Sequence, residues 1–309
     1  MLSVVERPAP EPSRGEVRVR VRATAVNRAD LLQRMGAYPA PADSPPDIPG
    51  LEIAGEVDAV GVGVERLKVG DRVFGLVGGG GYAEAIATHE RALAKIPDGM
   101  SFEDAAAVPE AFVTAYDAIV LQGELRGAQT LLIHAVGSGV GTAAVQLGRA
   151  FGAQVVGTAR TQDKLDRAKQ LGMDLGVIVD GASVRFADRV PPVAVVCELV
   201  GGAYVMEDVR CLQPLGRIVL VGLLAGAKGE LDLGLVLRKR ARIMGTMLRS
   251  RPLEEKLAAM RAFEAEVVPL FARGMLKPVI DCVMALEEAG KAHERMASNA
   301  GFGKIVLRC

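Results

Sequence analysis

Three glycines and two cations, one strand apart, carry the most directly readable chemistry in this chain. Residues 131–160 read LLIHAVGSGVGTAAVQLGRAFGAQVVGTAR, with AVGSGVG set between an apolar run and an amphipathic one. Gly137, Gly139 and Gly141 let the backbone turn tightly and approach a ligand without Cβ interference. A helix opening at Gly139 presents unpaired amides and the positive end of its dipole, which suits a pyrophosphate. Ser138, Gly139, Val140 and Gly141 are therefore candidate cofactor contacts. The stretch does not spell G-x-G-x-x-G, and a glycine-rich turn without any ligand is the plainer alternative. NAD sites usually place an acid at the end of the next strand to hold the ribose 2′-hydroxyl. Here that strand ends VVGTAR, with Ala159 and Arg160, and Lys164 follows one helical turn later. Such cations attract a 2′-phosphate. Asp163 reads as a first-turn helix residue behind an N-cap at Thr161. NADPH is the expected cofactor.

The elements that must position these residues alternate. TLLIHAV, QVVGTAR, LGVIVD, VAVVCELV, GRIVLVGL and RARIMGTML read as strands. GVGTAAVQLGRAF, TQDKLDRAKQLG and GAYVMEDVRCLQ read as helices between them, and the pattern predicts a parallel sheet covered on both faces. The short span between Asp180 and Val193 predicts a degenerate crossover helix. Before this region, EVRVRVRATAV alternates apolar residues with arginine, as a half-buried antiparallel strand does. EIAGEVDAV, KVGDRVFGL, YAEAIATHE and ALAKIP follow as short strands divided by turn residues, as in a small β-barrel. PAPADSPPDIPG reads as a proline-rich loop over that barrel. SFEDAAAVPEAFVTAYDAIVL predicts a helix capped by Ser101 and broken near Pro109. PLEEKLAAMRAFEAEVVPLFARG predicts one long helix, after which PVIDCVM, EEAGKAHERMAS and GKIVLRC return to the first domain. The expected division is 1–110 with 250–309 around a nucleotide-binding insert at 111–249, and a ligand is expected in a cleft between two such domains.

Composition narrows the class. The chain has 309 residues, half of them apolar, enough for a large core. Lys plus Arg and Asp plus Glu number 37 each, so no net field favours nucleic acid or an anionic membrane. The longest apolar run, Ile218 to Ala227, is ten residues, half a membrane span. No basic-then-apolar leader is visible, and a soluble cytoplasmic protein is expected. Cys197, Cys211, Cys282 and Cys309 are scattered without C-x-x-C spacing, and none of the three histidines lies within ligand spacing of a Cys. A structural zinc site or a disulfide framework is not expected, and Cys197 reads as a reduced core residue.

The order barrel, dinucleotide fold, barrel resembles the medium-chain dehydrogenase/reductase superfamily, and within it the zinc-free NADPH:quinone oxidoreductases related to zeta-crystallin. The resemblance rests on VNRADLLQRMGAY (26–38), IPGLEIAGEV (48–57), VGDRVFGL (69–76), AAAVPEAFVTAY (105–116) and IHAVGSGVGTAAVQL (133–147). GRIVLVGLLAG (216–226), MLRSR (247–251) and NAGFGKIVL (299–307) extend it over nearly the whole chain. It implies an α/β fold in which a Rossmann domain, a doubly wound parallel sheet, joins a GroES-like β-barrel catalytic domain. Zinc-dependent relatives carry Cys where this chain has Asn27, and His where it has Leu51. Without thiolate and imidazole no catalytic zinc is expected to polarise an alcohol or carbonyl.

A quinone needs no metal, because it already accepts hydride, and the protein's task is positioning. By resemblance, Tyr38 is the expected hydrogen-bond donor to the quinone oxygen, assisted by Ser138, with Asn27 contacting substrate or nicotinamide. Tyr38 packing the proline loop and Ser138 serving as a turn residue are the structural alternatives. Asn27 and Asp30 equally form an N-x-x-D that starts a helix ending at Gly36. Thr114, Gly222, Leu223, Met247 and Leu248 carry over as cofactor-wall residues, and Asn299 toward the 2′-phosphate. Two departures stand out: the first barrel strand of relatives is absent, so the chain reads as starting late, and VIVDG replaces a stretch where several relatives set a tyrosine against adenine. The resemblance also admits reduction of an activated C=C bond in an enal or enone, or a non-enzymatic crystallin-like or RNA-binding role. The basic run LRKRAR reads as a helix cap beside an edge strand rather than an RNA site. A homodimer through RARIMGTML is expected.

Overall fold

In a computed structural model, which describes residues 2–42, 44–181 and 183–309, the chain divides into two compact units. One comprises Met1–Val113 and Leu248–Cys309, the other Thr114–Met247.

The first unit begins with strand β1, Glu16–Val26, whose valines at 17, 19 and 21 are buried to 2 % exposure or less. Its intervening arginines reach across to the next strand, β2 (Glu52–Val60): Arg18 meets Asp58 at 2.8 Å and Arg22 meets Glu56 at 2.8 Å. The alternation therefore does what its period implies, with valines inward and paired charges outward. Strands β3 (Arg72–Leu76), β4 (Ala85–His89) and β5 (Leu93–Lys95) follow at the expected places. Residues 39–50 contain no helix or strand among those described, and position 43 lies outside the description.

Ser101 caps the helix Phe102–Ala106 by accepting the Asp104 amide hydrogen at 3.0 Å. Beyond it the chain does not continue as a plain α-helix. Pro109–Val113 and Asp117–Gln122 are π-helical, separated by one α turn, Thr114–Tyr116. Pro109 lacks the amide that would continue the preceding ladder, so the hydrogen-bond register shifts there.

The second unit holds β6 (Thr130–Ile133), β7 (Gln154–Ala159), β8 (Leu175–Ile178), β9 (Val193–Glu198), β10 (Leu212–Leu220) and β11 (Arg242–Gly245). They form one parallel sheet in the order β11-β10-β9-β6-β7-β8. That is the doubly wound dinucleotide-binding order, with its reversal between β6 and β9. Among its described residues the connection from β8 to β9 contains only a 3-10 turn, Ala187–Arg189, tied down by two amides that donate to Glu207 Oε2 at 2.9 and 3.0 Å. The basic run ends a helix, Leu233–Lys239, with Arg240 in the left-handed region as its C-cap. The strand expected to carry the homodimer contact, β11, lies at one edge of the sheet.

The chain returns to the first unit as two helices rather than the single one expected. Leu253–Glu266 ends at Val267, and Val268–Ala272 restarts with Pro269 in its first turn. The proline ring excludes the carbonyl four residues earlier, which breaks the ladder. Strands β12 (Ile280–Ala285) and β13 (Lys304–Arg308) complete a seven-stranded sheet of order β12-β13-β1-β2-β3-β5, with β4 also on β1. One edge of β1 is shared, Glu16–Arg20 pairing with β4 and Ala23–Val26 with β13. Cys197 is fully buried in β9, and burial pushes its thiol up to about 12. Among the described residues no helix is long and apolar enough to cross a membrane.

Candidate functional site

In the second unit, β6 leads through AVGSGVG into the helix Gly139–Ala150, at the reversal point of the sheet. Ser138 is its N-cap: the hydroxyl oxygen accepts the Gly141 amide hydrogen at 3.0 Å, and the carbonyl accepts that of Thr142 at 2.8 Å. The turn-residue reading of Ser138 is thus realised, while its O–H remains a donor. The first-turn amides of Gly139 and Val140 lie too early in the helix for an i−4 partner and are left for a ligand. Gly141 has no room for a side chain, since a Cβ there would stand 2.3 Å from the Ala135 carbonyl oxygen and 2.8 Å from Val136 Cα. The loop backbone therefore packs directly against the first turn of the helix. Gly141→Ala must push the loop outward, and we expect its nicotinamide-cofactor Kd to rise about tenfold by fluorescence titration. An unchanged Kd contradicts cofactor binding at this loop.

At the end of the neighbouring strand β7, Arg160 is exposed and Lys164 is half-buried on the helix Gln162–Gln170. Thr161 stands at the N-cap of that helix but makes no side-chain capping bond, so the expected cap is positional only. Asp163 lies in the first turn, as expected of a dipole partner. The loop after β10 is fixed by its neighbour. Val221 and Gly222 amides donate to the Glu198 carbonyl at 2.8 and 3.2 Å, and a Cβ on Gly222 would meet the Leu199 carbonyl oxygen at 2.7 Å. Leu223 and Met247 are each 51 % exposed, apolar surface consistent with a wall, whereas Thr114 is buried at 9 %.

In the first unit Tyr38 is half-buried beneath Arg249, whose guanidinium lies 5.0 Å from the ring centre. Arg249 also donates to the carbonyls of Tyr38 at 3.2 Å and Gly78 at 2.7 Å, and to Gln33 Oε1 at 2.6 Å. Burial raises the Tyr38 phenol above its usual value, and the charge of Glu110 adds to that, so the hydroxyl keeps its proton. Leu248 is half-buried.

Asn27 is committed to its own unit. Its amide nitrogen donates to Glu52 Oε1 at 2.7 Å and to the Ala25 carbonyl at 3.3 Å, and its oxygen accepts from Lys304 at 2.5 Å. Lys304 also meets Glu52 Oε1 at 2.7 Å, and Glu52 Oε2 accepts the Glu110 amide hydrogen at 2.8 Å. Both amide donors of Asn27 are therefore spent. Asp30 plays the helix-starting part, its carboxylate taking the Asn27 and Gly50 amides at 2.7 and 3.1 Å, with Arg28–Arg34 helical behind it. Burial pushes Asp30 up to about 6. Lost hydration and the neighbouring Glu52 push Glu110 up to about 8. Asn299 is a left-handed helix C-cap with φ 57°, its side-chain oxygen accepting from Arg28 at 2.5 Å.

Residue types alone did not expose the Lys304–Glu52 pair, the Arg249 clamp, or a buried group of His134, Glu198 and Asp208. Glu198 ends an otherwise apolar strand, and a charge there is the signal that sequence could have offered, whereas Glu52 shares its strand with Glu56 and Asp58 and does not stand out.

Two family models match: "Alcohol dehydrogenase GroES-like domain" over residues 13–98 and "Zinc-binding dehydrogenase" over 139–266. The chain is 36 % identical to a quinone oxidoreductase of Pseudomonas aeruginosa over 311 aligned positions, covering 96 % of this chain and 92 % of that protein. Among solved structures, an NAD-dependent alcohol dehydrogenase superposes with TM-score 0.87 at 32 % identity, covering 99 % of this chain and 95 % of the other. A quinone oxidoreductase of Escherichia coli complexed with NADPH gives 0.85 at 28 %, covering 99 % and 95 %. The second model's description implies zinc. The residues where zinc-dependent relatives hold their ligands do not fit one: Leu51 is apolar and 3 % exposed, and Asn27 is bonded to a lysine ammonium.

Proposed function

The chain belongs to the quinone-oxidoreductase-type branch of the medium-chain dehydrogenase/reductase superfamily, and we propose that it reduces quinones with NADPH without zinc. The carrying observation is the Gly141 loop opening the Gly139–Ala150 helix, followed one strand on by Arg160 and Lys164. A glycine loop closed onto a helix N-terminus supports a dinucleotide's pyrophosphate; the cations support a 2′-phosphate over a bare ribose hydroxyl.

In this reading the Gly139 and Val140 amides bind the pyrophosphate, and Arg160 and Lys164 bind the 2′-phosphate. Thr114, Gly222, Leu223, Met247 and Leu248 are proposed as cofactor-wall residues and Asn299 as a contact toward the 2′-phosphate, on the family resemblance. The bound cofactor supplies a hydride. Ser138, its oxygen occupied by the Gly141 amide, donates its O–H to orient the ring. Tyr38 donates a hydrogen bond to the quinone oxygen, where negative charge develops, and holds the proton that oxygen needs. The Arg249 clamp fixes the Tyr38 ring and backbone, which limits the entropy lost on engaging substrate. Asn27, with both amide donors committed to Ala25 and Glu52, makes no donor contact to substrate.

Tyr38→Phe keeps the ring under Arg249 and removes only the hydroxyl. We expect kcat for quinone reduction to fall about tenfold with the NADPH Kd unchanged, as for one lost hydrogen bond that matters in the transition state. An unaltered kcat removes Tyr38 from the mechanism.

A further inference from the structure

At the C-terminal ends of β6 and β9, His134 and Glu198 pack with no exposure against Asp208 of the helix Tyr204–Cys211, which is equally buried. His134 bridges Thr158 Oγ1 through Nδ1 at 2.8 Å and Asp208 Oδ1 through Nε2 at 2.7 Å. Glu198 Oε2 lies 3.5 Å from His134 Nε2. Glu198 Oε1 accepts the amides of Val200 and, at 2.8 Å, Gly201. The other oxygens, Glu198 Oε2 and Asp208 Oδ2, are buried and have no donor among the described residues. Two dry carboxyl oxygens without a donor, on neighbouring acids, lack one hydrogen.

We propose that Glu198 and Asp208 share one proton, and that this proton holds the turn after β9 in the form that supports the cofactor wall. The positioning part rests on the cofactor reading above. The turn and the loop after β10 are one hydrogen-bonded piece. The Glu198 carbonyl takes the Val221 and Gly222 amides, the Val200 carbonyl takes Ala225 at 2.7 Å, and the Gly226 carbonyl takes Gly202 at 3.0 Å. Glu198 therefore grips Val200 and Gly201 with its side chain and Gly222 with its backbone. A second negative charge in this dry space has no counter-ion, and its relief requires water to enter, which opens the turn.

The surrounding groups agree. His134 is held below its usual value by burial and stays neutral. Cys197 and Tyr204 are both raised by burial and stay protonated, and Glu207 adds negative charge on the helix side. Tyr204 in turn faces the charges of Arg160, which lowers its phenol, and of Asp180, which raises it. Burial raises both Glu198 and Asp208. A raised acid favours the folded state at low pH and loses that advantage as pH climbs through its folded value. A cation is the other way to neutralise two acids here, since the three side chains place ligand atoms within 4.8 Å of one another. Both ring nitrogens of His134 are already spent on Thr158 and Asp208, which leaves no lone pair aimed at an ion.

The test uses the full-length protein and Glu198→Gln, whose amide donates to Asp208 without a titrating proton and still accepts the Val200 and Gly201 amides. Infrared difference spectra between the two proteins should show, at neutral pH, a protonated-carboxyl C=O band only in the wild type. From pH about 6 to about 9, the wild-type Kd for NADPH should rise about tenfold, and Tm without cofactor should fall. In Glu198→Gln the Kd should stay near its low-pH value, and Tm should fall less than in the wild type, by the part that Glu110 and Asp30 contribute. Asp208→Asn, measured the same way, serves if Glu198→Gln does not fold. Absence of the band, equal pH dependence in variant and wild type, or stoichiometric divalent metal in the purified protein would each overturn the shared proton. If NADPH binds neither protein at any pH while band and Tm behave as stated, the cofactor reading and the positioning role fall and the shared proton survives.

Discussion

Replacing Arg160 and Lys164 together with alanine raises the KM for NADPH about 100-fold and changes that for NADH less than about twofold. The asymmetry follows from what the two cofactors share. Both carry the pyrophosphate, held by the Gly139 and Val140 amides, and only NADPH carries a 2′-phosphate. Two charge-assisted hydrogen bonds to that group, each of about 1.5 kcal/mol, multiply to roughly that factor. Arg160 follows β7 directly, and Lys164 is half-buried in the first turn of the next helix. Steady-state kinetics with each cofactor, at low and high salt, provide the check, because an exposed contact weakens as salt rises. Equal losses for both cofactors would place the two cations elsewhere than on the 2′-phosphate.

Lys304→Ala destabilises the first unit by about 3–5 kcal/mol, the usual cost of stranding one member of a buried ion pair. The Lys304 side chain is 4 % exposed and that of Glu52 is 0 %. Removing the ammonium leaves Glu52 Oε1 with the Asn27 amide alone and takes from Asn27 Oδ1 its bond to Lys304. Thermal unfolding of the variant should begin about 10 °C below wild type. Lys304→Met with Glu52→Gln removes both charges and keeps the shapes, and should recover more than half of the loss. A loss below about 1 kcal/mol in Lys304→Ala would show that the pair does not carry this region.

Much of the architecture was legible because its signals are periodic. The valine–arginine alternation of residues 16–26 specifies a strand with one buried face, and the apolar strands between amphipathic helices specify the parallel sheet. The glycine loop is legible from AVGSGVG set between an apolar run and an amphipathic one, and the structure adds the reason: a Cβ at position 141 has nowhere to go. What sequence left out was long-range pairing. Nothing local distinguishes Lys304 from a surface lysine, since its partners lie 252 and 277 residues away. The resemblance points Asn27 at a ligand because it stands where relatives bind metal, whereas its side-chain amide bonds Glu52 and Lys304. The break at Val267 was readable from Pro269, but the strong helical pattern on both sides obscured it.

The most direct test of metal-free, NADPH-dependent quinone reduction is cofactor oxidation followed by absorbance, with NADPH or NADH, a quinone panel and an enal, before and after treatment with a strong chelator. The account predicts rapid oxidation of NADPH that requires a quinone, exceeds that with NADH or the enal, and survives chelation. Oxidation that follows the enal, prefers NADH, or disappears with the chelator would contradict it.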